Sequence, residues 1–263
     1  MDVTECENCG GIVVFDAHAE AVKCVFCGDV SLTTRQLADA PQPTEAVPFD
    51  VTPDDAQGLF RTWARSSLWA PKALRSQGAT VERVWIPAWR VQAEVEASWT
   101  GLVDAKTKSG KRPKSGVQTE PREAWVPASL GLSQEELLDL APFPHDARVA
   151  WTADTIPYEV GGLSARGATS QARALFEAAV RSDLIRAKRL RDCRTSLILH
   201  DAEATPLMLP VFIGCVRFRD RAWRFVVNGQ TGRVTGTLPI DRRKVALAVS
   251  LVVAVVLAYL LWR

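Results

Sequence analysis

Residues 245–262 read VALAVSLVVAVVLAYLLW, eighteen positions without a charge and with Ser250 as the clearly polar side chain. Wound as a helix at about 1.5 Å per residue, such a segment is roughly 27 Å long, close to the hydrocarbon thickness of a bilayer. Arg242, Arg243 and Lys244 precede it, Arg263 follows it, and Tyr259 and Trp262 stand near its end, where interfacial aromatics belong. A buried core helix of this size carries a polar stripe; this one is apolar all round. The segment 241–263 is therefore expected to be a single transmembrane anchor. Three basic residues before it and one after it favour a cytoplasmic location for the N-terminal bulk. The first ten residues, MDVTECENCG, lack the basic and then apolar pattern of a signal peptide. The expectation is a single-pass, tail-anchored protein of the cell inner (cytoplasmic) membrane, inserted after its translation.

The formal net charge of +2 over 263 residues conceals a gradient. Residues 1–80 hold 6 Lys and Arg against 11 Asp and Glu, residues 81–180 hold 11 against 13, and residues 181–263 hold 15 against 6. The basic end adjoins the expected span, which suits an anionic cytoplasmic leaflet. Six cysteines are too few for a disulfide scaffold in a chain of this length, and four of them fall in two C-x-x-C pairs.

Those pairs, Cys6/Cys9 and Cys24/Cys27, are separated by fourteen residues, and a glycine follows each second cysteine (Gly10, Gly28). Glycine lets the backbone turn tightly around a metal-bound sulfur. Short apolar runs at 11–15 and 21–23, with a turn at 16–20, predict a hairpin carrying two knuckles: a zinc ribbon over residues 1–31 with structural Zn²⁺ on Cys6, Cys9, Cys24 and Cys27. Four thiolates close the coordination sphere, so the metal is expected to stabilise rather than catalyse, and His18 is left as a turn residue.

A short helix is predicted over 31–38, followed by the proline-rich run Pro41-Gln-Pro43-Thr-Glu-Ala-Val-Pro48. Residues 32–48 thus form a linker that tethers the ribbon to an α+β cytoplasmic body over 49–240. In that body Thr52-Pro53-Asp54-Asp55 signs a helix start with the stripe Leu59, Phe60, Trp63 and Ala64. Residues 81–103 alternate as a strand, with Val91, Ala93, Val95 and Ala97 against Gln92, Glu94, Glu96 and Ser98. A basic loop follows at 104–116, then a partner strand at 125–127. Ser133-x-x-Glu136 begins a capped helix. A longer helix over 170–192 has the stripe Ala172, Phe176, Val180, Leu184 and Ala187, with Leu175 and Ala179 beside it. Separate strands at 195–199, 211–218 and 223–227 and a turn at 228–232 complete an antiparallel meander. Trp85-Ile-Pro87-Ala-Trp89 and Met208-Leu-Pro210-Val-Phe212 echo one another and raise the idea of two related lobes.

Taken together, the Cys6/Cys9/Cys24/Cys27 ribbon with its glycines, Phe60-x-x-Trp63, Trp69-Ala-Pro71, Ile86-Pro87-x-Trp89, Val126-Pro127-Ala128-Ser129, Leu209-Pro210-Val211 and Asn228-Gly229-Gln230-Thr231-Gly232 carry a resemblance across nearly the whole chain. It resembles bacterial membrane proteins with a transcription-factor-IIB-type zinc ribbon, sometimes mislabelled as primosomal helicase relatives. Such proteins are often encoded beside phage-shock-type coat proteins and SPFH (flotillin-like) proteins. The resemblance implies a membrane scaffold with partners of those kinds. A helicase activity finds no support, since no GxxxxGK[ST] phosphate loop is present.

Enzyme chemistry lacks its groups. His18, His145 and His200 stand in unrelated contexts, and Cys193 and Cys215 read as small core residues. The expected function is a non-enzymatic, membrane-anchored adaptor; the alternative is a zinc-ribbon nucleic-acid-binding protein tethered to the membrane. Against that alternative, residues 1–80 are acidic, and four thiolates on Zn²⁺ add further negative charge. Trp63, Trp89, Trp99 and Trp223 read as core rather than base-stacking platforms. Arg217, Arg219 and Arg221 on one strand face, with Arg242, Arg243 and Lys244, are expected against anionic headgroups at about 1 kcal/mol each. Oligomeric state is left open.

Overall fold

A computed structural model describes residues 2–14, 23–37, 42–76, 78–104, 110–144, 148–152, 155–219 and 221–262. In chain order the elements are β1 (Asp2–Cys6), β2 (Ile12–Val14), β3 (Leu32–Gln36), β4 (Glu45–Ala46), α1 (Pro53–Ser66), β5 (Thr80–Asp104), β6 (Lys111–Pro127), α2 (Gln134–Leu140), β7 (Val149–Ala150), β8 (Tyr158–Glu159), α3 (Ala165–Lys188), β9 (Asp192–Phe218), β10 (Arg221–Asn228), β11 (Val234–Gly236) and α4 (Arg242–Trp262), with a 3-10 turn at Lys72–Ser76. The class is α+β, as expected, with a mixed sheet.

Two long strands dominate. β5 and β9, of 25 and 27 residues, pair antiparallel from Thr80↔Cys215 to Leu102↔Asp192, with one register shift between Gln92 and Glu94. The alternation read from sequence is the reason: Val91, Ala93, Val95, Ala97 and Trp99 are buried, while Gln92, Glu94 and Ser98 face outward. β6 pairs along the other edge of β5, from Ala88↔Pro127 to Asp104↔Lys111. The basic loop expected at 104–116 is therefore shorter. Lys111, Arg112, Lys114 and Gly116 belong to β6, and residues 105–109 lie outside the described residues.

The meander expected near the C-terminus is also different. Residues 192–218 form one continuous strand, because Pro206 and Pro210 turn their N and O edge away from β5, and the missing N–H groups leave the β5–β9 ladder intact. Pro206 O accepts from Thr44 N–H at 3.2 Å, and Pro210 O accepts from Gly229 N–H at 2.8 Å.

Each long strand is preceded by a helix and followed by a return strand: α1–β5–β6 and α3–β9–β10. The sequence echo lies where the two units cross, with Trp85 opposite Pro210 and Pro87 opposite Met208. α3 begins at Ala165, five residues before the predicted start, behind the cap Ser164, whose side chain accepts from Gly167 N–H. It buries Ala168, Ala172, Phe176, Val180 and Leu184 against Val91, Val95, Trp99 and Leu197. Leu175 and Ala187 face solvent instead. α1, capped by Thr52 as predicted, buries Ala56, Phe60 and Ala64 against Phe212, Val216 and Phe225. Phe60 stacks on Phe225 at 4.1 Å. The Phe225 ring lies over Gly214, where a Cβ would come within 2.0 Å of Cζ.

The turn at 228–232 has an internal cause. Asn228 is fully buried. Its Oδ1 accepts from the N–H groups of Gln230 and Thr231, both at 2.9 Å, and its Nδ2 donates to Leu140 O at 2.9 Å and Pro142 O at 3.2 Å. The side chain thereby ties β10 to the end of α2. Asn228→Ala strands these partners in a dry environment and is expected to destabilise the fold by about 3 kcal/mol, measured by urea denaturation in micelles.

Candidate metal centre

The two C-x-x-C-G segments adopt the same turn. Gly10 N–H donates to Cys6 O at 2.9 Å and Cys6 N–H to Gly11 O at 3.0 Å; Gly28 N–H donates to Cys24 O at 2.8 Å and Cys24 N–H to Asp29 O at 2.7 Å. Gly10 and Gly28 have φ of 74° and 76°, the left-handed conformation that glycine adopts without penalty. The knuckles face each other. Cys6 Sγ lies 3.5 Å from Cys27 Sγ, Cys9 Sγ lies 3.6 Å from Cys24 Sγ, and all four sulfurs fall within 4.8 Å of one another. A tetrahedral site with Zn–S bonds of about 2.3 Å separates its sulfurs by about 3.8 Å, so four thiolates in this arrangement can hold one metal ion of zinc's size and leave no coordination position open.

The electrostatics suit a cation. Burial raises the Cys9 and Cys24 thiols, the latter to about 11, against backbone N–H groups of Gly11, Cys27 and Phe26 that favour the thiolates. Burial also pushes Cys27 up, but hydrogen bonds from Asp29 N–H and the Asn8 side chain outweigh it, and its thiol titrates below the ordinary range. N–H groups thus already point at the sulfurs where negative charge would reside.

The centre sits on a small sheet. β1 pairs antiparallel with β2 (Thr4↔Val13) and with β3 (Asp2↔Gln36 to Cys6↔Leu32). The helix predicted over 31–38 is instead β3; Thr33 and Thr34 are β-branched, and the open edge of β1 is there to pair. The predicted turn at 16–20, with His18, and most of the strand at 21–23 lie outside the described residues.

This sheet continues into the body. β2 pairs antiparallel with β8 through Val13↔Glu159 and Val14↔Tyr158. Phe26, two residues after Cys24 and 1% exposed, fills a slot between two glycines; a Cβ on Gly11 would lie 2.7 Å from its ring and one on Gly131 2.5 Å. Arg224 of β10 closes the junction. Its Nη1 donates to Phe26 O at 3.1 Å and Gly131 O at 3.0 Å, and its Nη2 contacts both carboxylate oxygens of Glu136 at 2.6 Å. Glu136 is the capping-box residue of α2 with Ser133, as the sequence predicts.

Glu159 completes the seam. Fully buried, it accepts through Oε1 from the N–H groups of Leu130 and Gly131, both at 2.7 Å. Burial pushes its carboxyl up to about 7, although those N–H groups and Ser129 pull it down. A carboxyl raised in the folded state favours folding fully below its unfolded value near 4.5, and that contribution is lost as pH rises through about 7. Between pH 5 and pH 8 the wild type is expected to lose up to about 3 kcal/mol of stability that Glu159→Gln does not lose, as paired denaturation curves at the two pH values would register. Phe26, Arg224, Gly131 and Glu159 escape sequence reasoning, since each is a single residue meeting partners far away in the chain.

The other predicted residues are scattered. Arg217 lies on β9, Arg219 in the hairpin turn with φ of 51°, and Arg221 at the start of β10 opposite Phe218. They straddle a turn and do not share one strand face, because the two strands end on either side of Arg219. Arg242 and Arg243 are exposed at the start of α4, whereas Lys244 Nζ donates to Leu68 O at 2.9 Å and Ala70 O at 2.6 Å. Cys193 is buried as expected, but Cys215 is exposed. Trp89 and Trp99 are core, as expected, and Trp63 and Trp223 are half-buried. His200 contacts Glu96 at 3.0 Å, and His145 lies outside the described residues.

α4 is 21 residues long with a mean hydropathy of 2.7 over its most apolar window, none of which is buried. It is long and apolar enough to cross a membrane.

No family model matches the chain, and no solved structure matches it. The chain is similar to the uncharacterized protein YdjG of Bacillus subtilis (strain 168), 24% identical over 225 residues. That alignment covers 78% of this chain and 66% of the relative's length.

Proposed function

We propose that this protein is a non-enzymatic scaffold or adaptor, held by α4 as a single-pass anchor in the cytoplasmic (inner) membrane, with the bulk of the chain in the cytoplasm. The observation that carries this is an apolar helix with no buried residue, leaving a body onto which a closed four-cysteine centre is clamped. Zinc on Cys6, Cys9, Cys24 and Cys27 supplies folding free energy and no reactive position. Its role is to fix the Phe26 knuckle on the body, so that ribbon and sheet offer one rigid surface rather than a swinging arm. A cleft of about 430 Å³ lies beside the second knuckle, lined among others by Lys23, Thr80, Glu82, Cys215 and Arg217. Its mixed charge suits a segment of a protein partner. The resemblance drawn from sequence points to SPFH-type or phage-shock-type partners in a membrane-stress assembly.

Affinity purification of the full chain from native membranes tests this. Recovery of such membrane proteins, lost when Glu82 and Arg217 are both reversed in charge, is the expected result. Recovery of nucleic acid in their place, or turnover of a substrate by the purified protein, overturns it.

A further inference from the structure

The root of α4 is wired to one loop of the body. Asp241 N–H donates to Trp69 O at 2.8 Å, and the Lys244 ammonium donates to the carbonyls on either side, Leu68 O at 2.9 Å and Ala70 O at 2.6 Å. Lys244 immediately precedes Val245, the first residue of the charge-free run, so the backbone of 68–70 stands within one lysine side chain of where that run begins. The loop is also held by burial: Ala70 is 1% exposed, and Leu74, 0% exposed, belongs to the core under α1. With its backbone pinned on both sides, the loop projects Leu68, 79% exposed, and Trp69, 45% exposed, beside Ile240, 62% exposed. Lys72, Arg242 and Arg243, each within three residues of Trp69 or Ile240 in the chain, are exposed.

An apolar cluster that contains a tryptophan, has cations close by in the chain and is continuous with a membrane span has the composition of an interfacial anchor. We propose that Leu68, Trp69 and Ile240 form a wedge that enters the headgroup and upper acyl region of the cytoplasmic leaflet, so that the body lies against the bilayer on its α1 side instead of hanging from α4 alone. The occupant is the bilayer itself, because any lipid surface that receives Val245 must also reach a loop bonded to Asp241 and Lys244, just before it. Lys244 acts as a strut in this arrangement, and the cations left for headgroups are Arg242 and Arg243. The inference rests on α4 crossing a membrane, as proposed above.

The test is tryptophan quenching in the full-length protein, reconstituted in vesicles of phosphatidylglycerol and phosphatidylcholine brominated near the glycerol end of the acyl chains. Trp69→Phe and Trp262→Phe, both at exposed positions, isolate the two contributions by difference. Loss of a quenched, blue-shifted component in both variants is the expected result. Loss in Trp262→Phe alone means that the tail is embedded while the loop stays in water, which overturns the wedge and leaves the anchor standing. Loss in neither overturns both. Melting curves in micelles that coincide with wild type confirm that each variant is folded.

Discussion

Removing the zinc proposed for the four-cysteine centre, by a strong chelator or through Cys24→Ser, is expected to unfold the N-terminal sheet and leave the rest of the body in place. Structural zinc sites contribute on the order of 10 kcal/mol, more than strands as short as β1, β2 and β3 can replace. Without the metal, Cys6 and Cys24 become buried thiols facing other thiols, and the two knuckles lose the bonds that join them. The cores under α1 and α3 are built from different residues, among them Phe60, Phe212 and Phe225 in one and Phe176, Trp99 and Val95 in the other. Hydrogen exchange should therefore accelerate across residues 2–14 and 23–36 while β5, β9 and α3 remain protected. Unchanged protection of the N-terminal sheet would remove the structural role assigned to the metal.

Phe26→Ala should cost about 3–5 kcal/mol, the usual range for deleting a buried aromatic ring. Its consequence differs from that of metal loss, because the four sulfurs are untouched: the variant keeps its zinc but loses the plug that seats the knuckle between Gly11 and Gly131. Arg224 and the β2–β8 pairing then hold the ribbon on the body without the packing that fixes the second knuckle. Gly131→Val reaches the same state from the other side by filling the slot, since even a Cβ there lies 2.5 Å from the ring. Both variants should retain the proposed zinc by metal analysis and be cleaved faster by protease within the second knuckle, residues 23–28. Loss of zinc from either would mean that docking and coordination are one cooperative unit.

The contrast between these sites shows what local pattern encodes. Cys6, Cys9, Cys24 and Cys27 were legible because spacing and the two glycines report a metal knuckle without reference to the rest of the chain. The apolar tail and the alternation of β5 were legible for the same reason. β9 reads as two strands because a proline counts as a break when its neighbours are unknown, and here both prolines turn their N and O edge away from β5, toward Thr44 and Gly229. The basic run at 111–116 looked like a loop because its charges hid a strand that β5 is long enough to pair. A ribbon on a proline-rich tether was the natural inference from residues 41–48. The residues that join it to the body, Arg224 and Glu159 above all, meet it from nearly two hundred and more than a hundred positions away, and no periodicity connects them.

An apolar helix that holds a metal-stapled head on the cytoplasmic side of a membrane leaves a signature in protease protection of cells producing the full chain. Membranes washed with alkaline carbonate should retain the protein, and protease added outside intact spheroplasts should leave the zinc-bearing head whole until the membrane is opened. Release into the carbonate wash, or trimming of the head from outside, would show that α4 does not hold the chain in this way.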